Sequence, residues 1–331
     1  MRPYGLAFIL LMATAALFAA APAGEIEVQI KEWDVPTPSS RPHDPAVAPD
    51  GALWYTGQNA NTLGRLDPKT GAIREYAMKT PQSGPHGLVA DAEGNIWYTG
   101  NYKAHVGKLD AKTGTVTEYA MPDARAVDPH TPILDQKGVL WFTVQRGNMV
   151  GRLDPRTGKV ELRESPTTNS RPYGIVVNSK GVPFFCEFNT NKLASIDPAT
   201  MKITEYTLPE GARPRRLAVA SDDTLYYTDY ARGYLGHLDP KTGKVEEWPT
   251  PGQPMPNPYG IAITPDGMVW FSEAGVSPNT LVRFDPRTKT FRSWPIPSGG
   301  GVVRHMVATP DGKLYLACSG VNKVAVVEVR Q

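Results

Sequence analysis

The sequence predicts an all-β, seven-bladed β-propeller with four-stranded blades, its last blade closed by the N-terminal strand. Two observations carry this expectation. A strand-opening pair recurs at Pro42-His43, Pro85-His86, Pro129-His130, Pro172-Tyr173, Pro214-Arg215, Pro258-Tyr259 and Val303-Arg304, with successive pairs 42 to 45 residues apart. A four-stranded unit of that length, repeated radially, is a propeller blade. The two ends of the chain are also complementary. The seventh unit stops after a third strand at residues 324–329, and residues 26–33 resemble the fourth strands of other units. Pairing the two leaves no open sheet edge.

The second unit shows the strands plainly. Residues 87–90 are apolar and end at the turn Glu93-Gly94; residues 96–99 are aromatic and β-prone. A third strand covers residues 106–109, and residues 115–119 alternate as an outer strand does. An Asp-Pro-x-Thr-Gly turn recurs at residues 67–71, 154–158 and 239–243. There Asp accepts backbone hydrogen bonds, Pro presets φ and Gly takes the positive φ. Gly 31 and Pro 32 suit many short strands joined by tight turns. Trp54, Trp97, Trp141, Phe184, Tyr226, Trp270 and Tyr315 recur once per blade and read as packing between neighbouring sheets.

Residues 1–23 read as a secretory leader, with Arg2 before an apolar stretch and Ala21-Pro22-Ala23 as the cleavage motif. The propeller then occupies residues 24–331, and the expectation is a periplasmic or secreted monomer with no membrane span in its mature form. Cys186 and Cys318 fall on nearly opposite blades, so no disulfide is expected. Lys and Arg exceed Asp and Glu by 35 to 33, without a basic run. That balance argues against nucleic acid as a partner.

Structural turns repeat on one face, so function is expected on the other, where the blade-to-blade loops diverge. Two rings of side chains meet there. The first reads His43, His86, His130, Tyr173, Arg215, Tyr259, Arg304, with His305 one residue further. The second, at the ends of the second strands, reads Gly57, Gly100, Val144, Glu187, Asp229, Glu273, Cys318. His105 falls on the same face. Neutral imidazoles take protons or bind metals, and carboxylates bind hard cations or orient a base. Three histidines on adjacent blades would also suit a transition metal. The same side chains could equally line a water-filled channel and satisfy one another.

The repeated pattern of residues 85–88, 94–99 and 106–110 resembles that of the streptogramin B lyase (virginiamycin B lyase) family, over all seven blades. The resemblance implies an enzyme that opens a cyclic depsipeptide ester by elimination with Mg²⁺, a histidine removing the proton while the metal polarises the lactone. It implies that His86 contacts substrate and that Asp128-Pro129-His130 supplies a metal-directed acid and the base. The family's glutamate at the end of that blade's second strand is Val144 here. Glu187 and Glu273 hold that strand end in blades whose first ring carries Tyr173 and Tyr259.

The expectation is therefore a metal-assisted lyase for a lactone, ester or uronide-like small molecule. His130 and His86 are its catalytic candidates, with His43, Tyr173, Arg215, Tyr259, Arg304 and His305 as substrate contacts. Asp128, Glu187 and Glu273 are candidate ligands for Mg²⁺ or another divalent cation, with no organic cofactor. The alternative is a non-catalytic module in which Arg215, Arg304, Tyr173 and Tyr259 hold an anionic or ring-bearing ligand or a partner protein. A sugar-lactonase type of metalloenzyme is a third reading, against which seven units count, since those are typically six-bladed.

Overall fold

The computed structural model describes residues 26–330; the leader expected at residues 1–23 lies outside them. Seven antiparallel four-stranded sheets stand in a ring. Their inner strands are Pro42–Val47, Pro85–Ala90, Pro129–Leu134, Pro172–Val177, Pro214–Val219, Pro258–Ile263 and Val303–Ala308. Glu27–Asp34 pairs with Lys323–Arg330 from Glu27↔Arg330 to Asp34↔Lys323, so the N-terminal strand is the outer strand of the seventh blade. Among the described residues, no helix is long and apolar enough to cross a membrane.

Sheet-to-sheet packing follows from the once-per-blade aromatics. Trp54 packs with Leu88 and Ile96 of the next blade, Trp97 with Leu140, Trp141 with Ile175, and Trp270 with Met306. Phe184, Tyr226 and Tyr315 occupy the same position in the remaining interfaces. The core is thus divided into contacts between neighbouring blades. Cys186 and Cys318 are buried free thiols.

A bulge opens every inner strand. In the first blade Pro42 pairs with Gly57 and Pro45 with Tyr55, so His43 and Asp44 together oppose Thr56. Register shifts at the same place in the other six blades. A bulge leaves a backbone N–H without its ladder partner and re-aims the side chains beside it. In five of the seven blades a hydroxyl takes that N–H. Thr56 Oγ1 accepts from Asp44 N at 3.1 Å and donates to His86 O of the next blade at 2.8 Å. Thr99 does the same for Gly87 N and His130 O, and Thr143 for Thr131 N and Tyr173 O. Thr228 and Ser272 continue the series to Tyr259 and Val303. The fourth and seventh blades carry Cys186 and Ala317 at that position, and in the seventh Ser319, two residues further on, donates instead to Pro42 O at 2.7 Å.

These hydroxyls hold the inner strands in register around the axis. Thr99→Val, which keeps the shape and removes the hydroxyl, leaves a buried N–H and a buried C=O unpaired and costs about 1–3 kcal/mol. Thr99→Ser retains most of that stability. Urea denaturation of the two variants measures it, and equal midpoints for Val and wild type would show that the hydroxyl is dispensable.

Candidate functional site

The bulges present two consecutive residues per blade to the axis, and so build two layers. The outer layer is the expected first ring. His43, His86, His130 and Tyr173 lie in a continuous row, with successive ring centroids 3.8, 3.8 and 3.9 Å apart and interplanar tilts of 43–48°. The row turns the corner through a short hydrogen bond between the Tyr173 and Tyr259 hydroxyls. Arg215 sits in a box of aromatic rings, its guanidinium 4.0 Å from the Tyr259 centroid, 4.3 Å from Tyr230, 4.6 Å from Phe188 and 5.2 Å from Tyr173. Arg304 lies 5.8 Å from the Tyr259 centroid. Seven repeats thus become one mouth, with imidazoles on blades 1–3 and guanidinium–phenol groups on blades 4–7.

The inner layer comes from the next position of each repeat: Asp44, Gly87, Thr131, Gly174, Arg216, Gly260 and His305. Even-numbered blades carry glycine because the following strand crosses too close for a side chain. A Cβ on Gly87 would stand 2.4 Å from both His130 O and Pro132 Cδ. Odd-numbered blades fill the axis. Arg216, fully buried, donates to both Asp44 oxygens at 3.0 and 3.1 Å and to Thr131 Oγ1 at 3.1 Å, joining the first, third and fifth blades. This plug lies beneath the imidazole row and above an apolar funnel of about 400 Å³ lined by residues such as Leu88, Ile133 and Ile261. Asp44 and Arg216 are the functional residues that reading the rings alone misses. Their signal was a column in which glycine alternates with polar side chains and holds one acid and one base.

The plug fixes the electrostatics above it. Burial opposes charge on Asp44, but Arg216, His305 and the His43 hydrogen bond outweigh it and hold the carboxyl well below its usual range. His43 Nδ1 lies 2.8 Å from Asp44 Oδ1. An ionised carboxylate only accepts, so Nδ1 carries the proton and Nε2 the lone pair. Burial drives His43 down to about 4 against the pull of Asp44, with Arg304 and Arg216 adding to the fall. His86 and His130 are held well below the usual imidazole range, first by burial, with the adjacent imidazoles disfavouring a further proton on His86 and Arg216 disfavouring one on His130. His305 falls to about 3 for the same reasons. All four rings are neutral at pH 7. His130 has only a hydroxyl, Thr131 Oγ1 at 2.9 Å, on its Nδ1. The carboxylate-oriented imidazole is therefore His43.

The expected metal carboxylates each belong to a separate local network. Glu273 accepts from Gly252 N at 2.8 Å and Thr280 Oγ1 at 2.7 Å, so both its oxygens hold loops. Glu187 accepts from Ser165, keeps its other oxygen buried without a partner, and burial pushes its carboxyl up. Asp128 accepts from Asn101, and burial raises it to about 6 against that hydrogen bond and the charges of Arg146 and Arg171. His105 leaves the row and packs edge-on to Tyr98, 3.4 Å from Glu118.

Among the described residues, one set of three potential ligands converges, His43, Asp44 and His86, within 4.8 Å of one another. Both Asp44 oxygens already lie on a buried guanidinium, so a dication there would meet a matched charge. Mg²⁺ also requires mostly oxygen ligands in octahedral array. This donor set does not fit it, and the chemistry below uses the chain's own groups.

A plug of two buried charges tolerates loss of both partners better than loss of one. Arg216→Met is expected to cost about 3–5 kcal/mol, because it strands the Asp44 charge. Adding Asp44→Asn should restore much of the loss. Urea unfolding of the single and double variants reads the coupling, and additive losses would show that the pair does not interact.

The virginiamycin B lyase family model matches residues 19–273 and 203–330. A solved streptogramin B lyase structure superposes with a TM-score of 0.83 at 26% identity, covering 92% of this chain and 98% of that one. The virginiamycin B lyase of Staphylococcus aureus gives 0.81 at 24%, covering 91% and 99%. Hydrazine synthase of Kuenenia stuttgartiensis shares the fold at 16% identity, with a TM-score of 0.73 over 88% of this chain and 96% of that one. No curated protein matches the chain. With seven matched blades and a family model spanning nearly all of them, this chain belongs to the virginiamycin B lyase family.

Proposed function

We propose that the protein is a carbon–oxygen lyase that works at the imidazole-lined mouth, on a lactone, ester or uronide-like molecule. The observation that carries this reading is the His43–Asp44 pair. It is a neutral imidazole of defined tautomer, standing in a row with two more and facing guanidiniums that have no acidic partner of their own. One of the similar solved structures is a streptogramin B lyase, and lyase chemistry suits this mouth.

In the proposed step His43 Nε2 accepts the proton alpha to the substrate's carbonyl or carboxylate. The C–H electron pair becomes the new C=C bond. The β C–O bond breaks, and its pair leaves on oxygen. Arg215 and Arg304 hold the carbonyl or carboxylate oxygens and stabilise the charge that gathers there. Tyr259 is the proton donor for the departing oxygen. Burial resists ionisation of its hydroxyl, but Arg215, Arg304 and Arg216 pull it below the ordinary phenol range. Tyr173, raised by burial and by Tyr259, keeps its proton and orients the pair. His86 and His130 wall the substrate and keep His43 in place by ring contact. The reading includes export by the leader and action in the periplasm or beyond.

A second reading is favoured by Glu273, whose oxygens are both engaged by loop groups, and by Val144, where the family pattern has an acid. In it the same mouth binds without turnover.

Turnover of ester- and uronide-containing ring compounds separates the two. Under the lyase reading His43→Ala lowers kcat by about 10²-fold or more while leaving KM within a few-fold. Because His43 is neutral down to about 4, kcat/KM should stay level from pH 8 to about 5 and fall only below that. An acid limb near 6.5, or full activity in His43→Ala, contradicts the assignment.

A further inference from the structure

The residue just before each strand-opening pair forms a third ring, outside the imidazole row. It reads Arg41, Gly84, Asp128, Arg171, Arg213, Asn257 and Val302. The backbone there is left-handed in most blades, with φ of 59° at Gly84, 67° at Asp128 and 46° at Asn257. Sterics favour Gly, Asn and Asp at such a position. Arg41 and Arg171 nevertheless occupy it at φ of 56° and 55°, as does the uncharged Val302 at 74°. A long cationic side chain held in strained backbone asks for a role beyond folding.

Their charges also lack a close ion-pair partner, although Arg171 is near enough to Asp128 to act on its carboxyl. Among the described residues, none of Arg41, Arg171, Arg213, Arg215 and Arg304 has a carboxylate within ion-pair distance. On the opposite face the turn arginines are paired with turn acids, Arg156 with Asp154 and Arg287 with Asp285, while the turn lysines Lys69, Lys112 and Lys241 have no such partner among the described residues. The unpaired guanidiniums fall into two groups. Arg304 and Arg41 lie on the adjoining seventh and first blades; Arg171, Arg213 and Arg215 lie on the fourth and fifth. The histidine row of blades 1–3 runs between them.

A single small anion can use one of these groups. A chain with anionic groups on successive units can use both, and would then lie across the imidazoles. We infer that the mouth takes an acidic oligosaccharide whose sugar units carry carboxylates, seated by Arg304 and Arg41 at one end and by Arg171, Arg213 and Arg215 at the other. The inference rests on the lyase reading for the location of the chemistry and names its substrate class. In a uronate the carbon alpha to the carboxylate bears the proton that His43 would accept. The β C–O bond to the next sugar is then the one that breaks, leaving an unsaturated end and a new hydroxyl.

The test is titration calorimetry of the full chain with a galacturonate tetramer, its methyl-esterified form, a sulfated oligosaccharide of equal length and single-stranded DNA. The acidic tetramer should bind, more weakly as salt rises. Esterification should weaken it about tenfold or more, as expected when carboxylate–guanidinium contacts are lost. Arg41→Asn with Arg171→Asn should weaken it by a similar factor, with a melting temperature no lower than wild type, because Asn suits left-handed backbone. Equal binding of the ester, an unaffected double variant, or tighter binding of the sulfated chain or of DNA would overturn the inference. Binding with no unsaturated product leaves it standing and removes the lyase reading. Elimination from a neutral ester without tetramer binding does the reverse.

Discussion

The site depends on the bulge at the start of each inner strand. A regular strand sends successive side chains to opposite faces, so it would give the axis one residue per blade. By setting two residues against one, the bulge supplies two, and in five blades a threonine or serine hydroxyl on the second strand satisfies the N–H this displaces. The same hydroxyl reaches the next blade's carbonyl, so the device that shapes the site also locks neighbouring sheets together. Outer-layer imidazoles and inner-layer charges are therefore consequences of one backbone feature repeated around the ring.

The inner layer gives the outer one its chemistry. A carboxylate buried at the axis would protonate if left alone; Arg216, from the far side of the channel, keeps Asp44 ionised. An ionised Asp44 then fixes the tautomer of His43. The same guanidinium, together with burial, keeps the imidazoles uncharged. Two neutral ring systems and two layers of guanidinium can coexist in so small a space only because the histidines give up their charge.

Much of the architecture was legible in the sequence. The seven strand-opening pairs gave the blade count, and the likeness of residues 26–33 to other fourth strands gave the closure that Glu27–Asp34 makes with Lys323–Arg330. His43, His86 and His130 were legible as neighbours because adjacent repeats are adjacent in space. Contacts across the wheel were not. Asp44 and Arg216 are 172 residues apart, and no local pattern says that the first and fifth blades meet at the axis. The bulge hid as well, since an insertion shared by every repeat leaves the period unchanged. Acids at strand ends are ambiguous for a different reason. Glu273 ends a strand at the mouth, where a ligand would stand, and there it also accepts from the loop N–H of Gly252.

The chemistry of the mouth requires His43 to be a neutral imidazole protonated at Nδ1, held so by a carboxylate that Arg216 keeps charged. Long-range ¹H–¹⁵N NMR of the imidazoles across pH 8 to 4 reads both properties at once. The expected result is one ring with its proton on Nδ1, uncharged down to about pH 5, that loses this signature in Asp44→Asn. A His43 that takes up its proton near 6.5, or that carries its neutral proton on Nε2, would contradict it.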